Sequence, residues 1–256
     1  MSGPADPIAY LRRLHASGGH NDVQQMVRDR DSAIARWGQV FATPDRLEPE
    51  DLAQFLEFEH NRHWWGLQRR REALLRWFPT VRAMIGELLD PDPEPPIADR
   101  IDALDQPQEF DQAVWSPILL VAHPAVYGVW NGISEAAMRR LGLWPEGADE
   151  ASTGQAYTLV NDMLHLVRAE IDTDLWTLDA LWWAAEKEHD PTRHFTTRKP
   201  APRTAAKISP VRKTKDLQAR KARSLAAADT FVCEECWTTK PSRLASSRPG
   251  RCVDCA

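Results

Sequence analysis

Apolar residues recur mostly at every third or fourth position within residues 6–89 and again from Ile97 onward, and no alternating apolar and polar run of useful length occurs before residue 230. A period near 3.6 gathers an apolar stripe along a helix, whereas a half-buried strand needs a period of two. The sequence therefore predicts an all-α body. Within residues 6–89 the stripe runs through Val23, Met26, Val27, Ile34, Trp37, Val40 and Phe41. Leu52, Phe55, Leu56 and the segment Glu59 to Trp65 continue it, and Leu74, Leu75, Phe78, Val81, Met84, Ile85 and Leu88 close it. The run PDPEPP from Pro91 to Pro96 cannot be helical and separates two candidate lobes at 1–90 and 97–190. Beyond it the helical period resumes through Ile101, Leu104 and Phe110, and Val114 to Pro124 reads as a buried helix. Ser134 to Leu141 reads as a short helix capped by Ser134 and ended by Gly142. Two further helices are expected at 153–171 and 174–188, the second carrying Leu175, Trp176, Leu178, Leu181, Trp182 and Trp183.

The chain has 256 residues, 43% hydrophobic and 27% charged, which is enough apolar material for a core and excludes a wholly disordered chain. The net charge of -5 conceals a division. Residues 1–190 hold 17 Lys+Arg against 32 Asp+Glu, a balance of -15, while residues 191–256 hold 15 against 5, a balance of +10. A basic tail on an acidic body points to nucleic-acid binding by the tail, with a merely solvated tail as the alternative. Residues 191–230 contain 11 basic and 2 acidic residues and read as a basic, flexible linker, with one helix expected near Lys215 to Ala227. Lys213, Lys215 and Arg220 of this linker and Arg248 beyond it are candidate phosphate contacts. No run of 18 apolar residues exists, and the N-terminal sequence lacks an apolar region before a small-residue cleavage site. Neither membrane insertion nor secretion is expected, and the cytoplasm is the expected compartment.

All four cysteines lie at the C-terminal end, as Cys233-Glu-Glu-Cys236 and Cys252-Val-Asp-Cys255, with the stretch Trp237 to Arg251 between the pairs. This is the spacing of a tetrahedral zinc site with four thiolate ligands, so residues 231–256 are expected to form a zinc ribbon whose metal replaces a hydrophobic core. Two disulfides are the alternative, disfavoured in a reducing compartment. With every position taken by protein sulfur, such a zinc is structural. No His or Asn lies between the cysteine pairs, which argues against an HNH nuclease built on them.

Two segments of the body carry a different chemistry. The first, Phe58 to Arg71, sets His60, Asn61, Arg62, His63, Trp64, Trp65, Arg69 and Arg70 side by side in an otherwise acidic body. Arginine contacts phosphate and tryptophan stacks on bases, so this mixture suits DNA or base binding; a helix end with one buried Trp and a solvated arginine run is the alternative. The second, His123 to Met138, contains Tyr127, Trp130, Asn131, Ser134 and Glu135. A buried helix, a tight turn, an aromatic and polar pair and a capped helix follow one another here.

That arrangement, over roughly residues 110–145, resembles the segment of helix-hairpin-helix DNA glycosylases that sets the catalytic carboxylate at a helix start. Those enzymes carry Asp where this chain has Asn131, so the resemblance implies that another acid acts or that Asn131 positions water. With Tyr157 to Asp162 and Asp174 to Trp183, the two segments also resemble modules of bacterial restriction and phage-defence proteins, among them glycosylases that remove glucosylated hydroxymethylcytosine. The function so implied is a monofunctional DNA glycosylase that flips out a modified base and leaves an abasic site. Glu135, one turn beyond Asn131, and Asp162, three positions before His165, are the candidate catalytic acids. Asp172, Asp174 and Asp179 are expected to cap or solvate helices. Lys187 is the one lysine that precedes the basic tail and is flanked by Glu186 and Glu188, which argues against Schiff-base lyase chemistry. A restriction-type nuclease and a non-catalytic reader of modified DNA remain the alternatives.

Overall fold

The computed structural model describes residue 4 and residues 6–18, 21–92, 94–104, 107–189, 230–232 and 239–241. The chain divides into two units, Met1–Arg198 and Lys199–Ala256, so the boundary falls inside the segment read as a basic linker. Among the described residues of the first unit there are ten α-helices and no strand.

Local sequence explains where these helices begin. In α1 (Pro7–Ala16), Asp6 accepts the Ala9 N–H at 2.9 Å, and proline stands at the first position, where a helix has no use for the missing donor. Helix α2 (Asn21–Phe41) buries Val23, Met26, Trp37 and Phe41. Helix α3 (Pro49–Leu56) again starts with proline, and Asp51 accepts the Glu48 N–H at 3.0 Å. The sequence predicts that the helical period continues from Glu59 to Trp65, but no α-helix forms there. A turn follows α3, and Arg62–Arg70 forms a 3-10 segment with Trp64 at non-helical φ -119 and ψ 51. The helical pattern returns in α4 (Arg71–Arg76) and α5 (Phe78–Leu89).

The proline run does interrupt the helices. Arg100 of α6 (Ile97–Ala103) reaches back across it, donating to Pro95 O at 2.7 Å and Asp90 O at 2.6 Å. One apolar core nevertheless runs through both 1–90 and 97–190, because α7 (Gln112–Ala122) packs on α2. Helix α7 is buried from Val114 to Val121, as the dense apolar run requires.

Helix α8 (Gly132–Leu141) corrects one expectation: its cap is Asn131, and Ser134 is the reciprocal partner. Asn131 Oδ1 accepts the Ile133 and Ser134 N–H groups at 2.8 and 3.1 Å, and Ser134 Oγ accepts the Asn131 N–H at 2.8 Å. Gly142 ends the helix in the left-handed region at φ 70. Helix α9 (Thr153–Glu170) meets α6 so closely that a Cβ on Gly154 would lie 1.9 Å from Ala98 O. Asp102 of α6 accepts the Gly154 N–H at 2.8 Å and binds Ser152 Oγ, so α6 also caps α9.

Helix α10 (Leu175–His189) is buried on nearly all sides, packing against α1, α2, α8 and α9. In the second unit, β1 (Thr230–Val232) and β2 (Thr239–Pro241) pair antiparallel with Val232 opposite Thr239. Cys233, Cys236, Cys252, Cys255, Lys213, Lys215, Arg220, Arg248 and the helix expected near 215–227 lie outside the described residues.

Candidate functional site

Asp179 sits in the middle of α10, 8% exposed, and is not the solvated helix residue that the sequence predicts. A carboxylate there must find donors, because burying an unpaired charge is prohibitively unfavourable. Two come from the 3-10 segment. His63 Nε2 lies 2.7 Å from Asp179 Oδ2, and Trp64 Nε1 donates to the same oxygen at 2.8 Å. The break in helical geometry at Trp64 brings the consecutive side chains His63 and Trp64 to one carboxylate oxygen. Trp176, one turn before Asp179, lies against the His63 ring with centroids 4.4 Å apart, and Trp64 meets that ring edge-on at 4.8 Å.

The chain is held in this path by Asn61, buried, which donates from Nδ2 to Phe55 O at 3.0 Å near the end of α3. Where this segment, α2 and α10 meet, a cleft of about 340 Å³ opens, within the usual size range of small-ligand sites. His60, Asn61 and His63 line it from the segment, Asp29, Arg36 and Trp37 from α2, and Trp176 from α10. Asp29 accepts from Gln25 Nε2 at 2.7 Å; Arg36 lies 4.4 Å above the Trp37 ring and donates to Gln54. The cleft thus offers carboxylate, guanidinium, amide and imidazole groups above buried indoles.

Of the first segment, His60, Asn61, His63 and Trp64 are therefore drawn together. Arg70 is engaged elsewhere, donating to Glu109 O at 2.9 Å and pairing with Asp111. Arg69 is exposed, and the side chains of Arg62 and Trp65 lie outside the described residues.

The second segment is built for packing. Trp130 is 0% exposed, and its backbone N–H donates to buried Ser116 Oγ at 2.9 Å, so it does not present a stacking face to a base. Glu135 accepts the Trp130 indole N–H at 3.2 Å and Arg139 Nε at 3.0 Å. Arg139 also binds Asp149, and those acidic partners hold its guanidinium above the ordinary arginine value against the opposing effect of burial. Asn131 is occupied by its cap. Tyr127 is half-buried between the rings of His123 and Tyr157, 5.9 and 6.4 Å away. Burial pushes His123 below the ordinary imidazole value and Tyr157 well above the ordinary phenol value. Asp162 is exposed, while its neighbour Asn161 accepts the Gly128 N–H at 2.8 Å and donates to Val126 O at 3.0 Å.

Asp179, Asp29, Arg36 and Trp37 escape sequence reasoning as site residues. Only Asp179 leaves a signal: it is the single charge in the run Leu175 to Trp183, whose length and apolarity foretell burial on every side. Comparison with protein-family models, curated proteins and solved structures gives no match.

Proposed function

We propose that the chain is a DNA-binding protein of phage defence whose helical body excises a modified base, such as glucosylated hydroxymethylcytosine, as a monofunctional N-glycosyl hydrolase. The observation that carries this reading is the cleft, because His60, Asn61 and His63 line it beside Trp176. His60, Asn61 and His63 come from the segment that the sequence singles out, and imidazole and amide groups are of the kind that hydrogen-bond a base edge, whereas Trp176 is buried beneath them. The groups implied by the glycosylase resemblance have other work: Glu135 holds an indole and a guanidinium, and Asn131 holds a helix start. The reaction is accordingly assigned to the cleft. Lys187, its ammonium 4.5 Å from the Trp183 ring, lies in the last turn of α10 and does not line this cleft, in keeping with hydrolysis without a Schiff base.

The basic segment and the zinc ribbon act as the clamp that holds an acidic body on DNA. The connection between the paired strands β1 and β2 contains Cys233 and Cys236, an arrangement that suits a two-cysteine knuckle, and Cys252 and Cys255 would complete four thiolate ligands. Zinc would supply folding energy there and take no part in hydrolysis. Cys233→Ser should abolish stoichiometric zinc and weaken DNA binding while the far-ultraviolet helical signal persists; unchanged zinc content would refute the four-thiolate site.

The decisive experiment incubates the full chain with phage DNA containing modified cytosine and with unmodified DNA, then probes for alkali-labile sites and released base. Release of free base from an intact backbone supports the glycosylase. Strand cuts without abasic sites favour a nuclease. Binding without either leaves a reader of modified DNA.

A further inference from the structure

We infer that the α2 wall of the cleft reads one nucleotide unit, Asp29 accepting from the exocyclic amine of its base and Arg36 donating to its phosphate; the identity of this ligand rests on the reading proposed above. Asp29, Ser32 and Arg36 stand at positions i, i+3 and i+7 of α2, so a single helix face presents all three to the cleft. Seven helical residues separate the carboxylate from the guanidinium by about 10.5 Å along the axis, comparable with the reach from base edge to phosphate in one nucleotide. Trp37 and Trp176 are each 1% exposed and form the floor, so recognition falls to the polar row above them. Both charged ends of that row are held by a glutamine whose amide is oriented by a charge outside the cleft. Arg28 donates to Gln25 Oε1 at 2.9 Å, which turns Gln25 Nε2 towards Asp29 Oδ1 at 2.7 Å. At the other end, Glu50 accepts from Gln54 Nε2 at 3.1 Å, which turns Gln54 Oε1 towards Arg36 Nη2 at 2.7 Å. The two relays run with opposite polarity, each fitted to the group it holds.

The atoms left over face a ligand. Asp29 Oδ2 accepts no hydrogen bond among the described residues and is not buried. The Arg36 guanidinium, stacked 4.4 Å over Trp37, keeps N–H donors beyond the one given to Gln54. Glu59 supplies the contrast: it lines the same cleft, but it is exposed, and its side chain has no hydrogen bond among the described residues to hold it. A carboxylate oxygen pairs with an amine N–H and repels a carbonyl oxygen at the same place. Cytosine, the base of the proposed reading, offers that amine where uracil and thymine carry an oxygen. A guanidinium on phosphate adds affinity without regard to the base. Arg36 therefore holds the nucleotide, and Asp29 selects it.

The test is binding by the full chain, read before any base is lost, to two single-stranded oligonucleotides. One carries glucosylated hydroxymethylcytosine and the other glucosylated hydroxymethyluracil, which has a carbonyl oxygen in place of the amine. Salt is set high enough to suppress binding of unmodified strand by the basic tail. The parent should prefer the amine-bearing strand by about 10-fold. Asp29→Asn, which keeps its bond from Gln25 and adds an N–H donor, should abolish or reverse that preference with the far-ultraviolet signal unchanged. Gln25→Leu, which leaves the carboxylate intact but unheld, is the second probe and should shrink the preference. Arg36→Gln should weaken both strands alike, keep the preference and reduce the slope of log affinity against log salt by about 0.7. Glu59→Gln should leave the preference as it is in the parent. A parent that does not distinguish the two strands, or an Asp29→Asn variant that keeps the full preference, would overturn the assignment even if base release were confirmed. If a preference that depends on Asp29 is found but no base is released, the hydrolase reading falls and the nucleotide site stands.

Discussion

Asn131 and Ser134 satisfy two backbone donors of α8 and that of the cap residue between them, and an oxygen engaged in this way is poorly placed to serve a substrate as well. Asn131→Ala should cost about 1 kcal/mol in chemical denaturation. Asn131→Asp, which caps equally well and restores the residue found in the glycosylases this segment resembles, should leave stability and base release nearly unchanged; a large gain in excision would return the chemistry to α8. Trp130→Ala should destabilise by about 3 to 5 kcal/mol, because it empties the site of a fully buried indole, measured as a shift of the denaturation midpoint. Both effects belong to single side chains. The identities of these residues are plain from sequence, but their engagements are not: polar and aromatic groups look alike whether they face a ligand or a neighbouring backbone.

At the level of elements, the helices follow from period and punctuation. The proline run, the Gly142 end and the apolar run in α7 appear where the local residues demand them. The segment after α3 departs because Asn61 ties the chain back to Phe55 O and Asp179 draws in His63 and Trp64 together. No sequence period encodes a partner on a helix so far along the chain. The contact between α6 and α9 is equally invisible in sequence. Gly154→Ala should destabilise by about 3 kcal/mol, near the upper end of overpacking effects, because the new methyl group would meet backbone rather than a mobile side chain. Thermal unfolding monitored at the helical band measures this, and a neutral result would mean that the two helices separate readily.

For the whole molecule, charge and pH give the observable consequences. Asp174 stands before α10; burial raises its carboxyl, but the Thr177 N–H and hydroxyl and the Arg30 guanidinium outweigh this and hold it below the ordinary 3.8. His123 is lowered from 6.5 by burial. Tyr10, burial acting with its bond to Glu188, is pushed up to about 12. Depressed groups stabilise above their unfolded values, so stability should fall as pH drops below about 6.5 for His123 and again below about 3.8 for Asp174. A raised group acts oppositely, and Tyr10 should withdraw its contribution between pH 10.0 and about 12. Urea midpoints across this range, compared with His123→Phe, Asp174→Asn and Tyr10→Phe, assign each step. The basic tail has its own signature: each of Lys213, Lys215, Arg220 and Arg248 changed to Gln should reduce the slope of log affinity against log salt by about 0.9 on duplex DNA. A slope unchanged by all four would remove the tail from the clamp.

The helical character of the body, the places of its main breaks, the split of charge between body and tail, and the gathering of four cysteines in one terminal segment are all legible in the chain before it folds. These properties are carried by neighbours in the chain, and short-range period, backbone restriction and composition express them directly. Which polar residues are engaged, and by what, is settled only when the helices pack. Packing buries Asp179 inside a central helix and gives it His63 and Trp64 as partners, next to the cleft that His63 helps to line. The penalty for burying charge is set by everything around it, so the meaning of a carboxylate emerges only when distant elements close upon it.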